Sequence, residues 1–159
     1  MNPKSFLAVI IISLAVGTTP IASGAPSAEA ERLVASWVAL WSSYDLDRVD
    51  DLFLQDDRVT YFSSEKEGLI RGIENVREHH RGFGFVPGGK RAERELWVEN
   101  VGADDFGDTL VVTAVWYFGD RAKSAAENQR GPMTMVYLRA AQEYRIAHLH
   151  FGNYENRRE

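Results

Sequence analysis

All four histidines of the chain stand in two pairs, His79-His80 and His148-Leu149-His150. On a strand, residues two apart project to one side, so His148 and His150 have the spacing to share a metal ion, and His80 would make a third imidazole. The same His-x-His spacing also suits an outward sheet face, hydrogen-bonded or at a subunit contact. His80 is the inward titratable group that could serve as a general base, and the same position suits a core histidine held by a backbone carbonyl. No cysteine is present to act as a thiol nucleophile or to form a disulfide. Ser63-Ser64 lacks the Gly-x-Ser-x-Gly setting of an activated serine. Carboxylates cluster at Asp45, Asp47, Asp50, Asp51, Asp56 and Asp57 and again at Asp104, Asp105 and Asp108, where they read as caps, turns and a solvated face. None falls inside an apolar strand, the position that would raise a carboxyl pKa. Gly88-Gly89-Lys90 is not followed by a helix, so it does not qualify as a phosphate loop.

The elements that must position these groups follow from hydrophobic spacing. Leu33, Val34, Trp37, Val38, Leu40, Trp41 and Tyr44 recur at three and four residues, a helix with Glu31, Arg32, Ser36 and Ser42 outside. Asp45 is the expected N-cap of a second, short helix with Leu46, Val49, Leu52 and Phe53 on its apolar face. Arg58 to Phe62 reads as a strand, and Gly72 and Gly82 bracket a third helix whose inner face holds Ile73, Val76 and His80. Four strands are then predicted: 96–101, 109–118, 133–139 and 144–154. The second is almost wholly apolar and expected to be covered on both faces. Leu110, Val112, Ala114, Trp116 and Phe118 form one inward row, and Ala147, Leu149 and Phe151 another, opposite in phase to His148 and His150. The turn-like connections 102–107, 119–131 and 140–143 suit antiparallel neighbours, and 84–91 reads as a flexible loop. Helices followed by antiparallel strands imply an α+β fold, a cone-shaped curved sheet wrapped around three helices with a cavity between the layers.

At the N-terminus, Lys4 precedes an apolar run from Phe6 to Val16 and the small residues Ala22-Ser23-Gly24-Ala25. That order describes a secretory signal peptide, residues 1–25, with cleavage expected after Ala25, Gly24 and Ala30 being the alternative sites, and a single domain over 26–159. The 159-residue chain then loses 25 residues, and its net charge of −5 becomes −6 because the leader carries Lys4 and no acid. An acidic chain disfavours nucleic acid and anionic membrane surfaces, and a secreted or periplasmic location is expected after cleavage.

Trp37 to Asp47, Leu52-Phe53, Asp56 to Phe62 and Arg71 to Arg77 resemble the opening of SnoaL-like domains of the nuclear transport factor 2-like superfamily. Tyr144 to Phe151 is similar to the end of the calcium/calmodulin-dependent kinase association domain, a relative together with ketosteroid isomerase. The resemblance implies the same cone, activities that mostly need no cofactor, a small-molecule cavity and homo-oligomers built through the outer sheet face. It does not carry the isomerase residues across. The oxyanion-hole tyrosine falls on Trp37, the general-base aspartate among Tyr61, Phe62 and Ser63, and the second acid within 133–139, where there is none. The kinase domain's pocket arginines fall on Trp116 and Met135. The expected cavity is therefore apolar, lined by Trp37, Trp41, Phe62, His80, Trp116, Met135, Tyr137 and Phe151, for a hydrophobic or aromatic ligand and with no metal. The enzymatic alternative is a cofactor-free isomerase, cyclase or lyase using His80, with Tyr61 or Tyr137 donating to a developing oxyanion.

Expressed in full in a Gram-negative host, the protein is expected in the periplasmic fraction with Pro26 as its first residue, or Ala25 or Glu31 at the alternative sites, read by N-terminal sequencing. A cytoplasmic product that keeps Met1 would overturn the export reading.

Overall fold

The structure, a computed structural model, describes residues 27–155; the expected leader, residues 1–25, lies outside them. Helix α1 (Ala28–Ser43) starts where Ser27 Oγ accepts the Ala30 backbone N–H at 3.2 Å, with Glu29 and Glu31 complementing the positive end of the helix dipole. It ends at Tyr44, whose φ of 50° turns the chain while its N–H still reaches Leu40 O. Its buried face holds Leu33, Val34, Trp37, Leu40 and Trp41, as the spacing predicts. Helix α2 (Asp47–Leu52) begins one residue later than expected. Leu46 occupies the cap position, and Asp45 instead accepts the Asp47 N–H at 3.1 Å in a local turn.

Strand β1 (Thr60–Phe62) pairs with β2 (Ile70–Arg71), a two-residue strand too short to show a period in the sequence. Helix α3 (Ile73–Gly82) buries Ile73, Val76 and His80 as expected. Strands β3 (Glu95–Asp105), β4 (Thr109–Gly119), β5 (Gln129–Ala140) and β6 (Glu143–Phe151) complete one six-stranded sheet in the order β2-β1-β6-β5-β4-β3. The expected connections do join antiparallel neighbours, but they shorten to 106–108, 120–128 and 141–142 because the strands run into them; β1 alone runs parallel to its neighbour, β6. The α+β cone is therefore confirmed, with one parallel seam.

Two irregularities shape the sheet. In β3 the register shifts between Glu99 and Gly102, where Asn100 takes a φ of 54°. In β6 Val136 faces His148 and Tyr137 faces Ile146, leaving Ala147 as an extra residue. Such bulges bend a strand and change which side chains face inward. Ile146 and Leu149 are consequently both buried, and Ala147, expected in the inward row, sits on the bulge itself. The β4 expectation is also corrected. Leu110, Val112, Ala114 and Trp116 are buried against the helices, whereas Val111 and Val115 are half-buried and Thr113 is exposed. Among the described residues helices cover only one face of the sheet, and no layer lies over the outer apolar row. The 84–91 segment, expected to be flexible, is pinned by backbone bonds from Leu46 to Val86 (3.0 Å), Val86 to Tyr44 (3.0 Å) and Lys90 to Ser43 (2.7 Å).

Gly131 marks the tightest approach: a Cβ there would stand 1.8 Å from Gly152 O, the carbonyl that also accepts the Trp116 indole N–H at 2.8 Å. Gly131→Ala is expected to lower the unfolding free energy by about 3 kcal/mol, because backbone must move to admit the methyl. Gly82→Ala, in helical backbone with open space around it, should raise stability by about 0.5 to 1 kcal/mol. Urea unfolding of both variants checks the pair.

Candidate functional site: an aromatic cavity with a charged mouth

A cavity of about 440 Å³ opens between the C-terminal end of α1, the concave face of the sheet and the segment that links α3 to β3. That volume lies in the range of small-molecule sites. Trp41 from α1, Tyr61 from β1, Trp116 and Phe118 from β4 and Phe151 from β6 form its floor and walls. The rings lock together edge to face: Trp41 with Phe118 at 6.1 Å and Trp116 with Phe151 at 5.2 Å between centroids. Their positions follow from strand alternation, since Trp116 and Phe118 are two apart on β4 and Phe151 continues the inward row of β6.

Of the eight residues expected to line a cavity, Trp41, Trp116 and Phe151 meet here. Trp37 lies beneath, fully buried and 5.4 Å from the Phe151 ring. Met135 and Tyr137 belong to the core on β5, where the Tyr137 hydroxyl reaches Met135 Sδ at 3.3 Å. Phe62 is on the other side of the sheet: it is 40% exposed and packs between the rings of His148 and His150. The reason is alternation along β1, which sends Tyr61 inward and its neighbour outward.

His80 is buried to 0% exposure among Trp41, Phe53, Tyr61 and Phe85 and is not part of the cavity wall. Its Nδ1 lies 2.8 Å from Val76 O, so that nitrogen carries the proton and donates, leaving Nε2 without a partner. Burial pushes its pKa down to about 4, which keeps the ring neutral near pH 7. A walled-off neutral imidazole has no path to a ligand in the cavity. Of the two tyrosines considered as donors, only Tyr61 reaches the cavity, and burial holds its phenol far above the usual range, so it keeps its proton. His148 and His150 stand on the outer face, with His148 Nδ1 2.8 Å from Thr60 Oγ1, across the sheet from His80. The three imidazoles therefore do not converge, and the described residues contain no cluster of three or more metal-ligating groups.

The mouth carries what the sequence reading missed. Lys90, Arg91 and Arg94 line it together with Glu65 and Glu93. Lys90 Nζ sits 5.4 Å from the Tyr44 ring centre, and the Arg94 guanidinium lies 4.5 Å over Phe118 while donating to Phe118 O at 3.3 Å. No described carboxylate comes within 4.0 Å of any of the three cations. Three basic residues within five positions were the available signal. In the sequence only Gly88-Gly89-Lys90 stands out, as a phosphate-loop pattern without its helix, because a loop's reach over a cavity depends on where the chain around it folds.

The SnoaL-like domain family matches residues 30–152. The chain belongs to that family. No curated protein sequence matches it. Among solved structures, a nuclear transport factor 2-like superfamily protein of Salmonella enterica superimposes with a TM-score of 0.62 at 17% identity, over 77% of this chain and 86% of that one. The association domain of C. elegans CaMKII gives 0.58 at 21% identity, over 76% and 89%. A nuclear transport factor 2-like protein of Pseudomonas putida gives 0.65 at 16% identity, over 79% and 86%. At these identities the SnoaL-like chain shares a fold with its neighbours.

The depressed pKa of His80 has a stability consequence. The folded state holds the ring neutral, so its contribution is complete above the unfolded pKa of about 6.5 and is lost as pH falls toward about 4. Across that window wild-type protein is expected to lose about 3 kcal/mol more than His80→Gln, measured by urea unfolding at pH 7, 5.5 and 4.

Proposed function

We propose that this SnoaL-like protein is exported and binds a small apolar or aromatic molecule in the cavity between α1 and the sheet. The observation that carries the reading is the floor of that cavity: aromatic rings from α1, β1, β4 and β6, with Tyr61 the one titratable side chain among them. Rings of this kind supply large apolar area and offset stacking, which favour a flat apolar ligand. The seclusion of His80 supports binding over proton-transfer chemistry. Export rests on the leader pattern at residues 1–25. Among the described residues no helix is long and apolar enough to cross a membrane.

Assembly into a homo-oligomer is part of the same reading. Phe62 and Leu138 are exposed on the uncovered face of the sheet beside half-buried Val111, Val115 and Val136, an apolar surface suited to a second copy. The C. elegans neighbour is itself an association domain.

N-phenyl-1-naphthylamine, a neutral aromatic probe whose fluorescence rises in apolar surroundings, is expected to bind the mature protein at one site per chain. Ala92→Trp places an indole at the cavity wall without disturbing the core and should weaken that binding at least tenfold. Absence of binding, or binding indifferent to Ala92→Trp, would refute the cavity reading. Native mass spectrometry of the same sample should show a dimer or larger assembly, and Phe62→Glu should shift it to monomer.

A further inference from the structure

We propose that the ligand is an aromatic anion, its ring system on the aromatic floor and its carboxylate, sulfonate or phosphate group held at the mouth by Lys90, Arg91 and Arg94. The inference rests on the cavity reading above and adds the charge of what enters. All three cations lie on one short segment that leaves the pinned turn at Val86–Lys90 and enters β3, so the backbone bond from Lys90 N–H to Ser43 O fixes where the segment crosses the opening. Lys90 and Arg94 each rest against a ring, Tyr44 and Phe118, that also lines the cavity. Their charged ends are thus held beside the apolar wall while both side chains stay exposed to an entering ligand. Arg94 spends one N–H on Phe118 O and keeps its others, and Arg91 is exposed with no carboxylate partner among the described residues. A guanidinium in that state is suited to bidentate pairing with an oxyanion.

The opposing charges are Glu65 and Glu93. Glu65 accepts from the Gln129 side-chain amide, which draws it to the β5 side of the mouth. Glu93 sits between the cations, so the rim keeps a net positive charge of one in a chain whose sum is −5. Surplus cation beside a low-dielectric wall focuses attraction on an anionic group, and does so against the sign of the rest of the molecule. A neutral hydrophobe gains nothing from this arrangement, and an aromatic cation is repelled by it.

The test is a matched pair of probes, N-phenyl-1-naphthylamine and 8-anilinonaphthalene-1-sulfonate, which share the aromatic skeleton and differ by one sulfonate. The sulfonate is expected to bind about tenfold tighter at low salt, with the advantage shrinking as sodium chloride is raised to 0.5 M. Lys90→Gln/Arg91→Gln/Arg94→Gln should erase the advantage, so that the two probes bind within about twofold of each other. Glu93→Gln should enlarge it. Arg32→Gln/Arg58→Gln/Arg145→Gln, three cations that do not line the mouth, should leave it unchanged and so separates the rim from bulk charge. Lys90→Gln/Arg91→Gln, which spares the Arg94–Phe118 contact, should halve the advantage or more and covers a triple variant that fails to fold. Equal affinity for the two probes, or an advantage that survives the rim variants, overturns the anion inference while the cavity reading stands on the neutral probe. Failure of both probes to bind removes the two together.

Discussion

The curved sheet encloses a helix only if that helix offers a broad apolar ridge, and in this chain the ridge is Trp37 and Trp41, one turn apart on α1. Trp37 is fully buried against Phe151, and Trp41 meets Tyr44, Phe83, Phe85, Phe118 and His80 within 6.3 Å between ring centres. Edge-to-face packing of this kind fixes orientation as well as distance. It sets how far α1 stands from the sheet, and hence which strand positions become floor and which become core. Burying so many rings leaves Trp37 Nε1, Trp41 Nε1 and His80 Nε2 without partners among the described residues. Unsatisfied polar atoms cost stability, and they are offset here by the apolar area buried around them.

The sheet meets this helix by bending. Bulges in β3 and β6 curl it, and Gly131 against Gly152 brings β5 close to the chain leaving β6. Where the curl runs past the end of α1 the layers separate, and the cavity is the gap that results. Its floor inherits the aromatic character of the core because it is the continuation of the core. Its mouth is built from loops, which stay hydrated, and so it carries the charge.

The division of labour among the histidines follows from the same geometry. His80 is packed where the short helices meet β1, beyond reach of a ligand, while His148 and His150 flank Phe62 on the uncovered face. With helices on one side of the sheet only, inward and outward residues of β1 and β6 live in different environments although they are adjacent in sequence.

The cone, its three helices and its four long strands were legible because periods of 3.6 and 2 are written directly in apolar spacing, and the opening and closing motifs carried the family. Trp41, Trp116 and Phe151 could be read as cavity residues for the same reason: each lies on an inward row. Phe62 and Ala147 were misplaced because a three-residue strand and a single-residue bulge leave too few positions to set a phase. Met135, Tyr137 and His80 also lie on inward faces, and periodicity separates inside from outside without separating core from cavity. That distinction depends on where the helix ends relative to the curved sheet. The charged mouth was hidden for a related reason: Lys90, Arg91 and Arg94 reach the opening through the backbone bonds that tie their loop to Ser43, Tyr44 and Leu46. The sequence by itself determined the layers and their buried faces, which are local properties of repeating backbone. Only the tertiary structure decided which buried residues border empty space and which charges face it, because both depend on contacts between segments far apart in the chain.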